Sequence, residues 1–196
     1  MSRQKGDIMR EVMISIQPKW VEKICRGEKT VEVRKTIPKC ETPFKVYIYC
    51  TKGRGDCLWR WNGIWYDTQD PNHRPNRLDG KVIGEFICDR IDKGVLRKSE
   101  FFDSVNIGYD KTCVSLDEFE NYLGAKGVLG EFEFYGWHIT DLVVYDEPRE
   151  LSEFRSYNVR TYIDEKSGLP MPTHEIARPF QSWGYVEAKE PRQTAD

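Results

Sequence analysis

Residues 12–35 read Val-Met-Ile-Ser-Ile-Gln-Pro-Lys-Trp-Val-Glu-Lys-Ile-Cys-Arg-Gly-Glu-Lys-Thr-Val-Glu-Val-Arg-Lys, and three local patterns follow one another within them. Val12 to Ile16 is short and apolar, the pattern of a first strand. Pro18 suits the first turn of a helix, Trp20, Val21, Ile24 and Cys25 recur on one helical face, and Gly27 stands where that helix would end. From Thr30 to Lys35, Val31 and Val33 alternate with Thr30, Glu32 and Arg34. That alternation predicts a half-buried strand with two aliphatics on one face and three polar groups on the other.

Outward from this segment the chain reads mostly as strands. Phe44 to Thr51 follows Pro43 with a nearly continuous apolar run, which predicts a central strand covered on both faces. Lys81 to Ile91 follows the Asp79-Gly80 turn, Trp137 to Tyr145 supplies another long β segment, and Ser182 to Val186 is placed to close the sheet. One later helix is marked by Ser115 and Glu118 in capping-box spacing, by the apolar positions Leu116, Phe119, Tyr122 and Leu123, and by Gly124 at its end. Five or six strands with two flanking helices and no βαβ alternation predict an α+β fold, a small β-barrel. A single domain is expected over 12–187, with a loop at Pro170-Met171-Pro172 and flexible termini at 1–11 and 189–196.

An insertion at about 52–79 has its own logic. In Cys57-Leu-Trp-Arg-Trp-Asn-Gly-Ile-Trp-Tyr-Asp67, Asn62-Gly63 predicts a two-residue hairpin turn that sets Trp61 against Ile64, Arg60 against Trp65 and Trp59 against Tyr66. Trp59, Trp61, Ile64 and Tyr66 then share one face, which either packs on the barrel or offers a stacking platform to a planar ligand.

Composition narrows the class. Hydrophobic residues make up 39%, charged residues 32% and aromatics 13% of 196 residues, which is globular composition. No apolar run approaches the roughly 20 residues that span a bilayer, and Met1 to Glu11 is polar, so a cytoplasmic protein without a membrane role is expected. The cysteines at 25, 40, 50, 57, 88 and 113 then read as reduced thiols. Cys40, Cys50, Cys57 and His73 could be drawn as zinc ligands, but their spacing is irregular and no Cys-x-x-Cys pair exists; no metal or cofactor is expected. The net charge of −2 hides an asymmetry: residues 1–60 hold 14 Lys and Arg against 7 Asp and Glu. A basic first third suits a local phosphate-facing surface, or simply a solvated face.

The chemistry gathers in Gly27, Lys29, Glu32 and Arg34, the pattern Gly-x-Lys-x-x-Glu-x-Arg at the junction of first helix and second strand. Lys29 falls at the barrel mouth, and Glu32 and Arg34 project from one strand face. Lysine and arginine can hold a phosphate or a base carbonyl, Glu32 can accept from an exocyclic amine, and Lys29 beside Glu32 can carry a proton; equally, the three can be a rim ion-pair network that fixes the opening.

This pattern, in its strand–helix–strand setting, resembles the signature of ASCH domains. Gly80 to Phe86, Gly136 to Leu142 and Pro179 to Trp183 are similar to segments of longer ASCH proteins of bacteria and prophages. The resemblance implies a PUA-like barrel of the kind that binds RNA or modified bases, and it adds Trp137 and His138 to the candidate site. Compact ASCH amidohydrolases that act on acetylated cytidine carry a catalytic threonine where this chain has Glu32, so that activity is not carried over. Glu85 is a further candidate acid. The expected function is nucleic-acid or nucleotide binding, of RNA or a modified base, through Gly27, Lys29, Glu32, Arg34, Trp59, Trp61, Trp137 and His138. The expected partner is RNA, another single-stranded nucleic acid or a nucleotide, with a protein partner left open. The alternative is a hydrolase acting on a modified nucleoside or RNA, with Lys29 and Glu32 as its acid–base pair.

Overall fold

Strand β1 (Glu11–Ile16) is buried along nearly its whole length because it lies between two partners, the parallel β3 (Phe44–Cys50) and the antiparallel β13 (Trp183–Ala188). Between β1 and β3 the chain forms helix α1 (Pro18–Cys25) and strand β2 (Val31–Arg34). The computed structural model describes residues 11–52, 59–61, 64–66, 78–100, 103–105, 109–157 and 173–189. The remaining strands are β4 (Trp59–Trp61), β5 (Ile64–Tyr66), β6 (Val82–Cys88), β7 (Ile91–Lys98), β8 (Asp103–Val105), β9 (Gly130–His138), β10 (Thr140–Arg149), β11 (Phe154–Tyr157) and β12 (Thr173–Glu175), with helix α2 (Leu116–Leu123) before β9. A seven-stranded sheet runs β10-β6-β3-β1-β13-β11-β12, a four-stranded sheet runs β2-β9-β7-β8, and β4 and β5 pair as a hairpin.

The two sheets share one bent ribbon. β6 continues past Asp89-Arg90 into β7, and β9 continues past Ile139 into β10; β6 pairs with β10 in the first sheet and β7 with β9 in the second. Strands that pass from one sheet to another make the corner of an open barrel. At that corner the β10 register shifts between Thr140 and Val143, with Asp141 at φ 48°. Gly84 faces the shift, where an added Cβ would meet the Val143 carbonyl oxygen at 2.4 Å, so only glycine lets the backbones approach.

This is the α+β architecture that the sequence indicated, with its two helices, but with more strands than the five or six expected. Lys81–Ile91 and Trp137–Tyr145, each read as one strand, prove to be parts of strand pairs broken at the corner. β7 and the first half of β9 were hidden by their charge: Lys93 pairs with Glu133 at 2.5 Å and Arg97 with Glu131 at 2.8 Å across the strands, so a charged pattern here is a ladder rather than a loop. The hairpin register is Trp59 to Tyr66, Arg60 to Trp65 and Trp61 to Ile64. Its side chains, the whole of 67–77 and the Pro170–Pro172 segment lie outside the described residues. At the ends, Glu11 belongs to β1 and Lys189 donates its amide to the Glu153 carbonyl, so neither residue is frayed; 1–10 and 190–196 lie outside the described residues.

The barrel core gathers Val12, Ile14, Val21, Ile24, Phe44, Val46, Phe86 and Trp137, all essentially inaccessible. A second cluster, Met13, Tyr47, Tyr49, Phe154 and Val186, covers the outer face of the seven-stranded sheet. A third, Val33, Leu96, Phe119 and Phe134, seats α2 on the smaller sheet, with Phe119 and Phe134 edge to face at 4.7 Å. No helix among the described residues is long and apolar enough to cross a membrane.

Candidate functional site

Helix α1 ends as its sequence predicted. Gly27 adopts φ 75°, and the Glu28 and Lys29 amides both bond back to the Lys23 carbonyl, which turns the chain under the helix and buries Lys29 to 2% exposure. Lys29 Nζ donates to the Val31 carbonyl at 3.0 Å and to the Thr112 carbonyl at 2.6 Å, and lies 3.3 Å from Glu32 Oε2 and 5.4 Å from the centre of the Trp20 ring. The Thr30 amide bonds the Lys111 carbonyl at 3.1 Å, so the short turn of Tyr109–Thr112, which leads to α2, is tied twice to the start of β2. Lys29 thereby anchors β2 to the approach to α2.

β2 departs from the half-buried strand that alternation predicted, because all four of its residues are buried. Val33 packs with Phe119 on one face, while the face carrying Glu32 and Arg34 turns toward the end of β1, where Arg34 Nη2 donates to the Ser15 carbonyl at 2.8 Å. Arg34 Nη2 also lies 3.1 Å from Glu32 Oε1. Polarity therefore marks an inward face here. The network is not closed: Glu32 Oε2 is near the Lys29 ammonium but accepts no hydrogen bond, and Arg34 Nε donates none, though both atoms are buried. Such groups are costly and uncommon in folded proteins.

Above this floor opens a cleft of about 500 Å³ between the two helices. α1 contributes Lys19 and Trp20, α2 contributes Glu118, Phe119, Asn121 and Tyr122, and Gln17, Thr51 and Gln181 complete the rim. Lys19 Nζ bonds Glu118 Oε1 at 2.6 Å and so bridges the helices. Glu118 is also the capping-box residue of α2, accepting from the Ser115 amide and hydroxyl. The Lys19 hydrogen bond, with Ser115 adding, holds its carboxyl down at about 2. Burial raises the Tyr122 phenol, with Arg34 opposing and Glu32 adding to the shift.

Of the residues singled out in the sequence, Lys29, Glu32 and Arg34 come together on the cleft floor. Gly27 shapes the approach but does not line the cleft. Trp137 is wholly buried against Phe44 and Trp183, and its indole N–H has no acceptor. His138 lies at the barrel corner, its Nε2 2.7 Å from Asp92 Oδ2 and 3.0 Å from Arg90. Neither lines the cleft. The side chains of Trp59 and Trp61 lie outside the described residues. Glu85 is on the far face of the seven-stranded sheet, bonded by Lys45 at 3.0 Å and by Tyr145 at 2.5 Å. Among the described residues of the basic first third, Lys19 pairs with Glu118, Lys23 with Glu28, Arg26 with Glu22 and Lys45 with Glu85. No group of three or more metal-ligating side chains gathers among the described residues; Cys57 and His73 lie outside them. The Cys88 thiol is pushed up to about 12 by burial.

The sequence reading missed Gln17, Trp20, Tyr122 and Gln181. Trp20 stood in plain view on the helix but read as core, and Tyr122 lies almost ninety positions from Arg34, a distance across which spacing says nothing.

Fold and cleft together define an α+β protein on an open two-sheet barrel, with a buried charged strand beneath a cleft between its helices. No protein-family model matches the chain, and no curated protein matches it. Among solved structures it is similar to the crystal structure of ASCH from Zymomonas mobilis, with 19% identity and a TM-score of 0.45, over 72% of this chain and 73% of that one. Two point-mutant structures of that protein, at the same identity, give TM-scores of 0.45 and 0.41 and cover 76% and 70% of their chains. The likeness is to the family whose signature the Gly27–Arg34 segment resembles. At that depth it transfers neither site residues nor activity.

Proposed function

We propose that this protein binds a nucleobase, as part of RNA, of single-stranded DNA or of a nucleotide, in the cleft between α1 and α2. The observation that carries the reading is the pairing of aromatic walls with an unfinished polar floor. Trp20 and Tyr122 come from different helices, and beneath them Glu32 Oε2, ion-paired with Lys29, accepts no hydrogen bond and Arg34 Nε donates none. A planar heterocycle meets both demands, since its faces stack on aromatic rings and its edge presents hydrogen-bonding groups. The hairpin of β4 and β5 follows β3, whose end leads to Thr51 on the cleft rim, so Trp59 and Trp61 belong to a segment that departs from the site.

The test is a titration of short RNA and single-stranded DNA oligonucleotides, together with free nucleosides, against the wild type and against Trp20→Ala and Tyr122→Ala. Binding that weakens in both variants supports the reading. Absence of binding to every probe, or binding indifferent to both substitutions, overturns it. Trp59→Ala in the same titration decides whether the hairpin takes part.

A further inference from the structure

Three cations line the cleft, and each is already engaged. Lys29 Nζ serves two carbonyls and lies beside Glu32, Arg34 Nη2 serves the Ser15 carbonyl and Glu32 Oε1, and Lys19 Nζ is bonded to Glu118. A phosphate seated here would draw the buried Lys29 and Arg34 away from partners that would then be left unsatisfied, a steep cost inside a protein. It would also meet two carboxylates, Glu32 and Glu118, on the same walls. Apart from the buried Glu32 Oε2 and Arg34 Nε, the cleft offers neutral polar groups: the exposed side-chain amides of Gln17 and Gln181 have no hydrogen-bond partner among the described residues. Side-chain amides pair with donor–acceptor edges of uncharged heterocycles.

Resting on the base-binding reading above, we infer that the cleft recognises an uncharged nucleobase or nucleoside and that phosphate takes no part in the recognition. The charges of the floor compensate one another and orient an acceptor and a donor; they do not attract an anion. Lys35, exposed beside the cleft with its Nζ 5.2 Å from the Tyr122 ring and no carboxylate partner among the described residues, is where a phosphate contact would register if one were made.

The experiment titrates the full chain with the four common ribonucleosides, their 5′-monophosphates, inorganic phosphate and a short RNA, at low and moderate salt. At least one nucleoside is expected to bind, its monophosphate to match it within about threefold, and neither to respond to salt, because no counterions are released when no phosphate is contacted. Inorganic phosphate should not displace the nucleoside, and Lys35→Gln should leave both affinities unchanged. Gln17→Ala and Gln181→Ala, substitutions of exposed side chains that leave the core intact, should weaken the nucleoside several-fold. A monophosphate more than about tenfold tighter than its nucleoside, with affinity falling as salt rises, overturns the inference while leaving base binding in the cleft standing. Silence from every nucleoside, nucleotide and RNA overturns both.

Discussion

Two polar clusters among the described residues, one on the outer face of the larger sheet and one at the cleft, differ in how completely their hydrogen bonds are made. On the outer face, Tyr47 donates to Glu11 at 3.0 Å, Tyr145 donates to Glu85 at 2.5 Å, and Lys45 completes Glu85 at 3.0 Å. Both phenols are pushed upward, chiefly by burial and then by their carboxylate partners, so they remain protonated donors. At the cleft, Lys29, Glu32 and Arg34 are buried at least as deeply but leave Glu32 Oε2 and Arg34 Nε without a hydrogen bond. A closed network rigidifies a sheet, whereas an open one stores an unmet demand that a ligand can satisfy. The contrast separates scaffold from site more clearly than burial or charge alone.

The largest effect is expected at the open network. Glu32→Leu strips the compensating charge from two buried cations and should cost about 3–5 kcal/mol of folding stability, read by urea denaturation; a loss below about 1 kcal/mol would mean that the network carries little of the fold. Next comes Tyr122→Ala, expected to remove about 1–3 kcal/mol of base affinity while leaving the melting temperature nearly unchanged, because the residue is part of a wall and not of the core. Tyr145→Phe, in the closed network, should show the opposite signature: a loss of about 1 kcal/mol in stability and no change in binding.

The smallest effect concerns the Lys19–Glu118 bridge. Its partners are 48% and 38% exposed, so Lys19→Gln should cost well under about 1 kcal/mol at neutral pH. Because the Glu118 carboxyl is held at about 2 against an ordinary 4.5, its contribution is present above 4.5 and is lost as pH falls toward 2. Wild type and variant should therefore differ most near neutral pH and converge across that window in acid melts. A difference that persists at pH 2 would assign the bridge no electrostatic part.

Much of the scaffold was legible because its local signals agreed. The Pro18 start and Gly27 end of α1, the Ser115 capping box and the apolar run of β3 each appear where propensity and pattern put them. Legibility failed where long-range pairing overrides the local pattern. Asp89 and Arg90 interrupt nothing in the apolar periodicity, yet the ribbon turns there, and only the antiparallel partners on each side make the turn visible. The site was half legible. Lys29, Glu32 and Arg34 lie within one short segment and are chemically conspicuous, but the walls come from helices α1 and α2, the second of them far along the chain. β2 also shows how alternation misleads, since a polar face reads as solvent whether it meets water or an interior network.

The pairing of β1 with β13 brings Glu11 opposite Val186, near the two ends of the described chain. During synthesis β1 can find β3 early, but the edge that pairs with β13 stays open until that strand has left the ribosome, and β11 and β12 lie beyond β13 in the sheet. The closing step therefore spans the largest sequence separation in the sheet and is entropically slow. In the interval Val12 and Ile14 lie beside an open row of backbone donors and acceptors, the kind of template on which nascent chains associate with one another. Translation that stops before Trp183 would leave β1 with that edge unpaired and yield an adhesive, unfinished sheet.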